Sequence, residues 1–495
     1  MSITSRKLLV AGVCGSLLAL AACQGESGSS QASVLRWATS APMTSADPIK
    51  NSSQVPAVFL AAAYETLIRL DADGDFLPGI AEEWSLSEDA RTAELVLRDD
   101  VEFQDGTPLD ADAVVANLER ARGEGSLLAG SLSLIDAVSA VDATRVRIEM
   151  NRPGGDIFQL LTGYAGMIAS PAAIEDGSLD ESPVGAGPFR MTSVGSSKVT
   201  YEQWDDYWDA GTVEVDGLEI HVMSDDTARL SAVRSGQVDA TFIRPGQRNE
   251  AEAAGLEVET KPRVSAYGLL FNPNSPAFGA AATRQAVSMA IDREAISHSI
   301  YDGGCSVTTQ LFPENYWAHD DDVEAPRHDP EAAADLIAGE ELSFTLLTPS
   351  ITDYQQQAEV IQAQLAEAGI AASIEVKDSA EVIERTRSGD YDAAVFLLQA
   401  ADPDPTTFAQ TYFTVDGVPL TPELPSLIDQ ARSTAAPQDR SEPVQAIHRA
   451  VNAAGSTAVG VCIPDTVFAF RPGVEGLTIP VVGPYSFRDV EKTDD

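Results

Sequence analysis

Two hydrophobic periods meet in the stretch from Arg263 to Tyr301. Tyr267-Gly-Leu-Leu-Phe-Asn272 is a short apolar run of strand type, closed by the turn Pro273-Asn-Ser-Pro276. Beyond it Ala286, Val287, Met289, Ala290 and Ile291 fall on one face of a 3.6-residue period, predicting a helix from Thr283. Asp292 then precedes Arg-Glu-Ala-Ile296, where its carboxylate can accept the amides of a second helix's first turn. Strand, turn and two helices are the signature of an α/β core.

The same patterning runs through the rest of the chain. Val34 to Ala38 predicts a buried strand, followed by the loop Thr39–Pro48 and a helix from about Val55 to Leu67. Asp71-Ala-Asp-Gly-Asp75 has the acidic spacing of a calcium loop, but Phe76 stands where that loop needs glycine, so a β-turn is expected. A strand Thr92–Leu97 precedes a helix from about Asp110 to Arg122. Pro183-Val-Gly-Ala-Gly-Pro-Phe189 reads as a β-corner, because no Lys-Ser/Thr and no helix follow it as a phosphate loop requires. The helix Asp353–Ala368, stopped by Gly369, turns Tyr354, Ala358, Ile361 and Leu365 to a sheet.

One unit occurs twice. Ile220–Met223, Asp225–Gly236 and Val238–Ile243 read as strand, capped helix and strand. Ile374–Lys377, Asp378–Gly389 and Tyr391–Phe396 repeat the pattern, with Arg234-Ser-Gly-Gln-Val-Asp-Ala240 matching Arg387-Ser-Gly-Asp-Tyr-Asp-Ala393. Strand-helix-strand crossovers are right-handed and give parallel strands, and ligands collect beyond the carboxyl ends of such strands. Two related halves with facing loops are therefore expected. The loops are Thr39–Met43 and Arg244-Pro-Gly246 in one half, Thr348-Pro-Ser350 and Ala400–Pro405 in the other.

Length and charge narrow the picture. The 495 residues exceed one ordinary core. A formal net charge of −44, from 76 acidic and 32 basic residues, repels nucleic acid and anionic lipid headgroups. Arg6 and Lys7 precede an apolar run, Leu8–Ala22, shorter than the ~20 residues that span a bilayer, which is the form of a secretory signal. It ends in Leu20-Ala21-Ala22-Cys23, which resembles a bacterial lipobox and makes Cys23 the expected lipid site. The polar stretch 24–33 after it is a flexible tether of roughly 16–19 Å. Cys305 and Cys462 remain in an oxidising compartment, and sequence leaves open whether they pair.

No Gly-x-Ser-x-Gly elbow, His-Glu-x-x-His helix, Walker loop or Cys-x-x-Cys pair occurs, and the five histidines are scattered. His319, beside Asp320-Asp-Asp322 and near His328, reads as an acidic surface loop rather than a metal site. No enzyme, cofactor or metal is expected.

Ordered blocks along nearly the whole chain carry a resemblance. They are Tyr64-Glu-Thr-Leu67 with Pro78–Trp84; Leu97-Arg98 with Val101–Pro108; Pro183–Phe189 with Tyr207-Trp208; Ser235-Gly-Gln-Val-Asp239; and Thr283–Ala286 with Ala290-Ile-Asp-Arg-Glu294. Together they resemble the family 5 extracytoplasmic solute-binding proteins of bacterial ABC importers, the peptide-, dipeptide- and nickel-type binders. The resemblance implies an α/β, two-lobed clamp of the type II periplasmic-binding-protein kind, in its large class with an extra subdomain and a hinge between lobes. The expected plan is a signal peptide over 1–22, a tether over 23–33, and lobe one over 34–262 plus 472–495. An extra subdomain falls at about 70–182, lobe two spans 263–471, and the crossings lie near Arg263 and Arg471.

Family members that take peptides hold the ligand's amine on an aspartate slightly upstream of an acidic-Pro step. If Asp404-Pro405 is that step, the place falls on Ala401, with Asp402 one residue off. The expected ligand-binding set is Met43, Arg244, Tyr267, Asn272, Ala401, Asp402 and Asp404. Asp402 or Asp404 would face a ligand cation and Arg244 an anion. The implied partners are an oligopeptide or dipeptide ligand, the ABC permease subunits and a membrane held through the lipid anchor; the protein is expected outside the cytoplasmic membrane, at the cell surface or in the periplasm, and as a monomer. A nickel chelate, an opine or a sugar stays open as cargo, and a secreted hydrolase is the alternative from another class.

Overall fold

The computed structural model describes residues 33–51, 54–337, 341–399 and 404–493. The lipid candidate Cys23, with the signal and tether, and the cleft candidates Ala401 and Asp402 lie outside the described residues.

The strand Val34–Thr39 lies between Gly217–Val222 and Ala240–Ile243 and runs parallel to both. The strand Ser343–Pro349 lies between Ala371–Lys377 and Ala393–Leu398, again parallel to both. In each half a helix, Asp226–Arg234 or Ser379–Ser388, connects the two outer strands across the middle one. Asp225 and Asp378 cap these helices by accepting the amides of Ala228 and Glu381. Gly236 and Gly389 end them with φ of 73° and 75°, left-handed values that suit glycine.

The repeated aspartates have one job in both halves. Asp239 accepts the amide of Arg36 at 2.8 Å, and Asp392 accepts that of Thr345 at 3.0 Å. Each ties an outer strand's entry to the middle strand's third residue.

The halves differ in the connection that leaves the middle strand. In the second half a single helix, Thr352–Glu367, leads to the next strand. In the first, residues 40–216 intervene and include a four-stranded sheet in the order Ala81–Leu86, Thr92–Leu97, Arg145–Met150, Ile135–Asp142. That sheet has its own core, with Val114 and Leu118 of the helix Ala111–Ala121 packed beside Leu95, Val146 and Ile148.

The chain passes from the first half to the second between the strands Glu257–Pro262 and Ala266–Phe271. It returns on one 13-residue strand, Ala458–Phe470, shared by both halves. Residues 458–462 of this strand pair with Ala266–Phe271 and residues 462–464 with Cys305–Val307. From Asp465 onward it pairs with Glu257–Pro262, and from Val467 also with Ala240–Ile243. The return crossing thus lies at Cys462–Asp465, earlier than the expected Arg471. The partners change at Pro464, which has no N–H to offer a ladder.

The directions of these strands locate the cleft. Ala458–Phe470 enters the first half beside Ile243, the carboxyl end of its parallel strands. In the second half it leaves beside Tyr267, which pairs with Leu397 at the carboxyl end of Ala393–Leu398. Both sets of parallel strands therefore aim their carboxyl ends at the crossing.

Candidate functional site

On the first half, Thr39 is buried and its carbonyl accepts the amide of Met223, which fixes the start of the Thr39–Met43 loop. Met43 is half-buried and packs against the core of that half. Arg244 stands at the mouth, its side chain 54% exposed and its Nε 3.1 Å from Asp226. Beside it, Pro245 reaches the second half: a β-carbon on Gly304 would lie 2.7 Å from Pro245 Cβ.

Cys305 and Cys462 are joined in a disulfide, with Cα atoms 5.5 Å apart. The bond fixes the turn that Pro245 touches to the crossing strand. Tyr267 stacks on Tyr301 at 5.0 Å and meets the edge of Tyr354 at 5.5 Å. Burial pushes all three hydroxyls up, that of Tyr354 to about 12, so they stay neutral donors at any physiological pH.

Two of the sequence-predicted residues are placed otherwise than expected. Asn272 lies at the opposite end of the second sheet, because Ala266–Phe271 runs antiparallel to Ala393–Leu398. Its amide nitrogen is committed to the carbonyls of Gly389 and Tyr391 at 3.0 and 2.8 Å. Asp404 is fully buried. It caps the helix Pro405–Phe413 through the amide of Thr406, and Arg440 grips both its oxygens at 2.7 and 2.9 Å. Burial alone would raise the Asp404 carboxyl, but Arg440 and Thr406 outweigh it and hold the group below its usual range. A carboxylate so engaged does not face a ligand cation; the helix cap and the buried arginine consume it.

A cavity of about 600 Å³ opens beside these residues. Ile383, Thr386 and Arg387 of the helix Ser379–Ser388 form one wall, and Thr411 and Tyr412 of the helix Pro405–Phe413 form the other. Its floor is the sheet at Leu270, Phe396 and Leu397. At one end it reaches Gln399, at the carboxyl end of the strands, where the Tyr412 hydroxyl donates to the Gln399 carbonyl at 2.6 Å and accepts from its amide at 2.9 Å. Asn272, Tyr391 and Asp416 lie at the other end, with Asp416 held by the Asn274 amide nitrogen at 2.8 Å. Arg387 is exposed and, among the described residues, has no hydrogen-bond or ion-pair partner. The arrangement offers apolar walls, threonine hydroxyls and one available guanidinium, which suits a small amphipathic ligand.

None of Ile383, Thr386 or Tyr412 stands out in the sequence, and Arg387 does so only as the first residue of the second repeat's matching segment. The usable signal was the repeat: the helix Ser379–Ser388 is the counterpart of Asp226–Arg234, which carries the Asp226 that holds Arg244. A second cavity of about 580 Å³ lies among Met289, Val323, Leu336 and Val459, and so reaches the crossing strand near its start. No group of three or more His, Cys, Asp or Glu among the described residues is placed to hold a metal ion, and no helix among them is long and apolar enough to cross a membrane.

Comparison with known proteins identifies the family. Residues 75–419 match the model of the bacterial extracellular solute-binding proteins, family 5. The chain is 28% identical over 390 residues to a probable di/tripeptide-binding protein 5 of Pseudomonas aeruginosa, covering 71% of this chain and 74% of that protein. It is 25% identical over 469 residues to the dipeptide-binding protein of Escherichia coli, covering 84% and 86%. Among solved structures, the periplasmic binding protein DppA of Helicobacter pylori, in complex with the peptide STSA, superposes with a TM-score of 0.77 at 21% identity, covering 93% of this chain and 98% of that one. The fold is accordingly the α/β, two-lobed type II binding-protein fold, and the chain belongs to the bacterial extracellular solute-binding proteins of family 5.

Proposed function

We propose that this protein captures a short peptide between its two lobes and delivers it to the permease of an ABC importer. The observation that carries this reading is that both sets of parallel strands end at the crossing, with Arg244 at the mouth in the first lobe and a cavity that runs to Gln399 in the second. The di- and tripeptide-binding names of the similar proteins support the ligand class. The mechanism is closure without chemistry. The lobes swing about the two crossings, and the ligand favours the closed form because it touches both lobes. Arg244 meets a ligand carboxylate from the first lobe, while Phe396 and Tyr412 take an apolar side chain from the second.

Calorimetric titration with a panel of di- and tripeptides tests this reading. Thr411→Trp, which fills the cavity, abolishes binding, and Arg244→Ala weakens it about tenfold, equivalent to ~1.4 kcal/mol. Neither change moves the melting temperature of the ligand-free protein, since Thr411 and Arg244 are exposed. Wild-type affinity in both variants would place the ligand elsewhere.

The lipid on Cys23 holds the binding lobes at the outer face of the membrane in this reading. In a bacterial host, Cys23→Ala removes radiolabelled palmitate from the protein and shifts it to the soluble fraction. Labelling that persists in the variant would assign the lipid to another residue.

A further inference from the structure

A continuous line of buried polar contacts runs from the inserted four-stranded unit to the wall of the ligand cavity. Asp156, 1% exposed, lies just beyond the strand Arg145–Met150 of that unit. Its carboxylate binds Arg152 at 2.9 and 2.7 Å and the Nε of Arg432, in the second lobe, at 3.2 Å. Arg432, 2% exposed, ends the helix Leu424–Ala431. It also donates to Thr406 Oγ1 at 3.0 Å and to Gln410 Oε1 at 2.9 Å. The backbones meet here as well: the Gly155 amide donates to the Arg432 carbonyl at 2.7 Å, and a β-carbon on Gly155 would sit 1.8 Å from the Thr434 oxygen.

Thr406 and Gln410 belong to the helix Pro405–Phe413. The residues immediately after Gln410, Thr411 and Tyr412, line the cavity, and Tyr412 brackets Gln399. The helix that walls the cavity is therefore held on its far side by an arginine whose charge is balanced from the other lobe. The other carboxylate that acts on Arg432 among the described residues, Asp404, is already gripped by Arg440 and would have to be shared.

We infer that Asp156 and Arg432 are positioning residues for the ligand cavity: the inserted unit, by packing Asp156 against Arg432, sets the placement of the helix Pro405–Phe413 and thereby couples the arrangement of the lobes to ligand affinity. A buried guanidinium left without a counter-charge is strongly disfavoured, so loss of Asp156 forces Arg432 to shift toward water or toward Asp404. Either movement drags Thr406 and Gln410, and with them the cavity wall. This inference deepens the proposed function, but its first half, the coupling of the inserted unit to the helix, does not depend on the ligand's identity.

Hydrogen exchange read by mass spectrometry, on the ligand-free protein, tests that half. In the near-isosteric variant Asp156→Asn, amide exchange over residues 405–413 accelerates about tenfold, while the helix Thr352–Glu367 keeps its wild-type protection. A change confined to residues 150–160, or spread evenly over the protein, overturns the coupling. Arg152→Gln, which removes only one of the partners of Asp156, gives a smaller change in the same place and serves if Asp156→Asn fails to fold. The second half is read with the dipeptide Met-Leu as probe. Its affinity falls about tenfold in Asp156→Asn and in Arg432→Gln, and the double variant is no worse than either, because the two residues act as one unit. Additive losses, or wild-type affinity with altered exchange, overturn the link to the cavity. If the wild-type protein does not bind the dipeptide, the ligand class has failed, and the exchange experiment still decides the coupling.

Discussion

Arg293→Met lowers the stability of the folded protein by roughly 3–6 kcal/mol, because several buried acceptors lose a charged donor at once. Arg293 is 3% exposed and opens the helix Arg293–Tyr301, capped by Asp292. Its guanidinium donates to the Ser288 carbonyl at 2.9 Å, to Ser288 Oγ at 2.8 Å and to the Gly460 carbonyl at 3.1 Å. Among the described residues no carboxylate pairs with it, and burial pushes it down to about 10, so at neutral pH it stays charged. Methionine fills most of the volume and supplies no donor. The Gly460 carbonyl lies in the crossing strand itself, so the damage falls on the element both lobes share. Urea denaturation followed by circular dichroism reads the loss as a lower midpoint at an unchanged slope. A midpoint shift that, multiplied by the slope, amounts to less than about 1 kcal/mol would mean that water satisfies these acceptors.

Asp404→Ala destabilises the ligand-free protein by about 3–5 kcal/mol, the usual effect of removing one member of a buried pair. Arg440, fully buried and also bound to the Ala431 carbonyl, is left without its counter-charge. A ligand anchor would behave in the opposite way, weakening binding while leaving the ligand-free melting temperature alone. The pH dependence separates the two roles again. The folded-state pKa of Asp404 is depressed. Its contribution is therefore fully present above the unfolded value of about 3.9 and is lost as pH falls through the folded value. The stability gap between wild type and variant should be constant from pH 5 to 7 and close on further acidification. A gap that widens below pH 4 would contradict the pairing.

The Arg284-Gln-Ala and Asp292-Arg-Glu blocks were legible as a family mark, and the structure gives them a physical meaning. Arg284 and Arg293 fasten chain segments together by donating to backbone carbonyls. The repeated unit was legible too, because an aspartate cap, a glycine stop and a second aspartate have fixed local roles that survive without tertiary information. What sequence could not supply was strand direction. Tyr267 and Asn272 look equivalent as the two ends of one apolar run. Only the antiparallel pairing with Ala393–Leu398 sends one toward the crossing and the other away. Asp404 misled for a related reason: an Asp-Pro step is read as an exposed loop, and the arginine that buries it arrives from 36 residues further along. The cavity walls were invisible because both are helices of ten residues or fewer, brought together over one strand by packing alone.

The strand Ala458–Phe470 also governs when the protein can fold. It joins the sheets of both lobes, yet it follows all of its strand partners in sequence. Until it arrives, Ala266–Phe271 lacks one neighbour and Ala240–Ile243 lacks another, so neither half can close its core. Pairings across such separations are slow to form, because chain entropy is spent before the contacts reward it. Joining the two lobes is therefore a non-local step, carried by one strand whose partners all lie far back in the sequence.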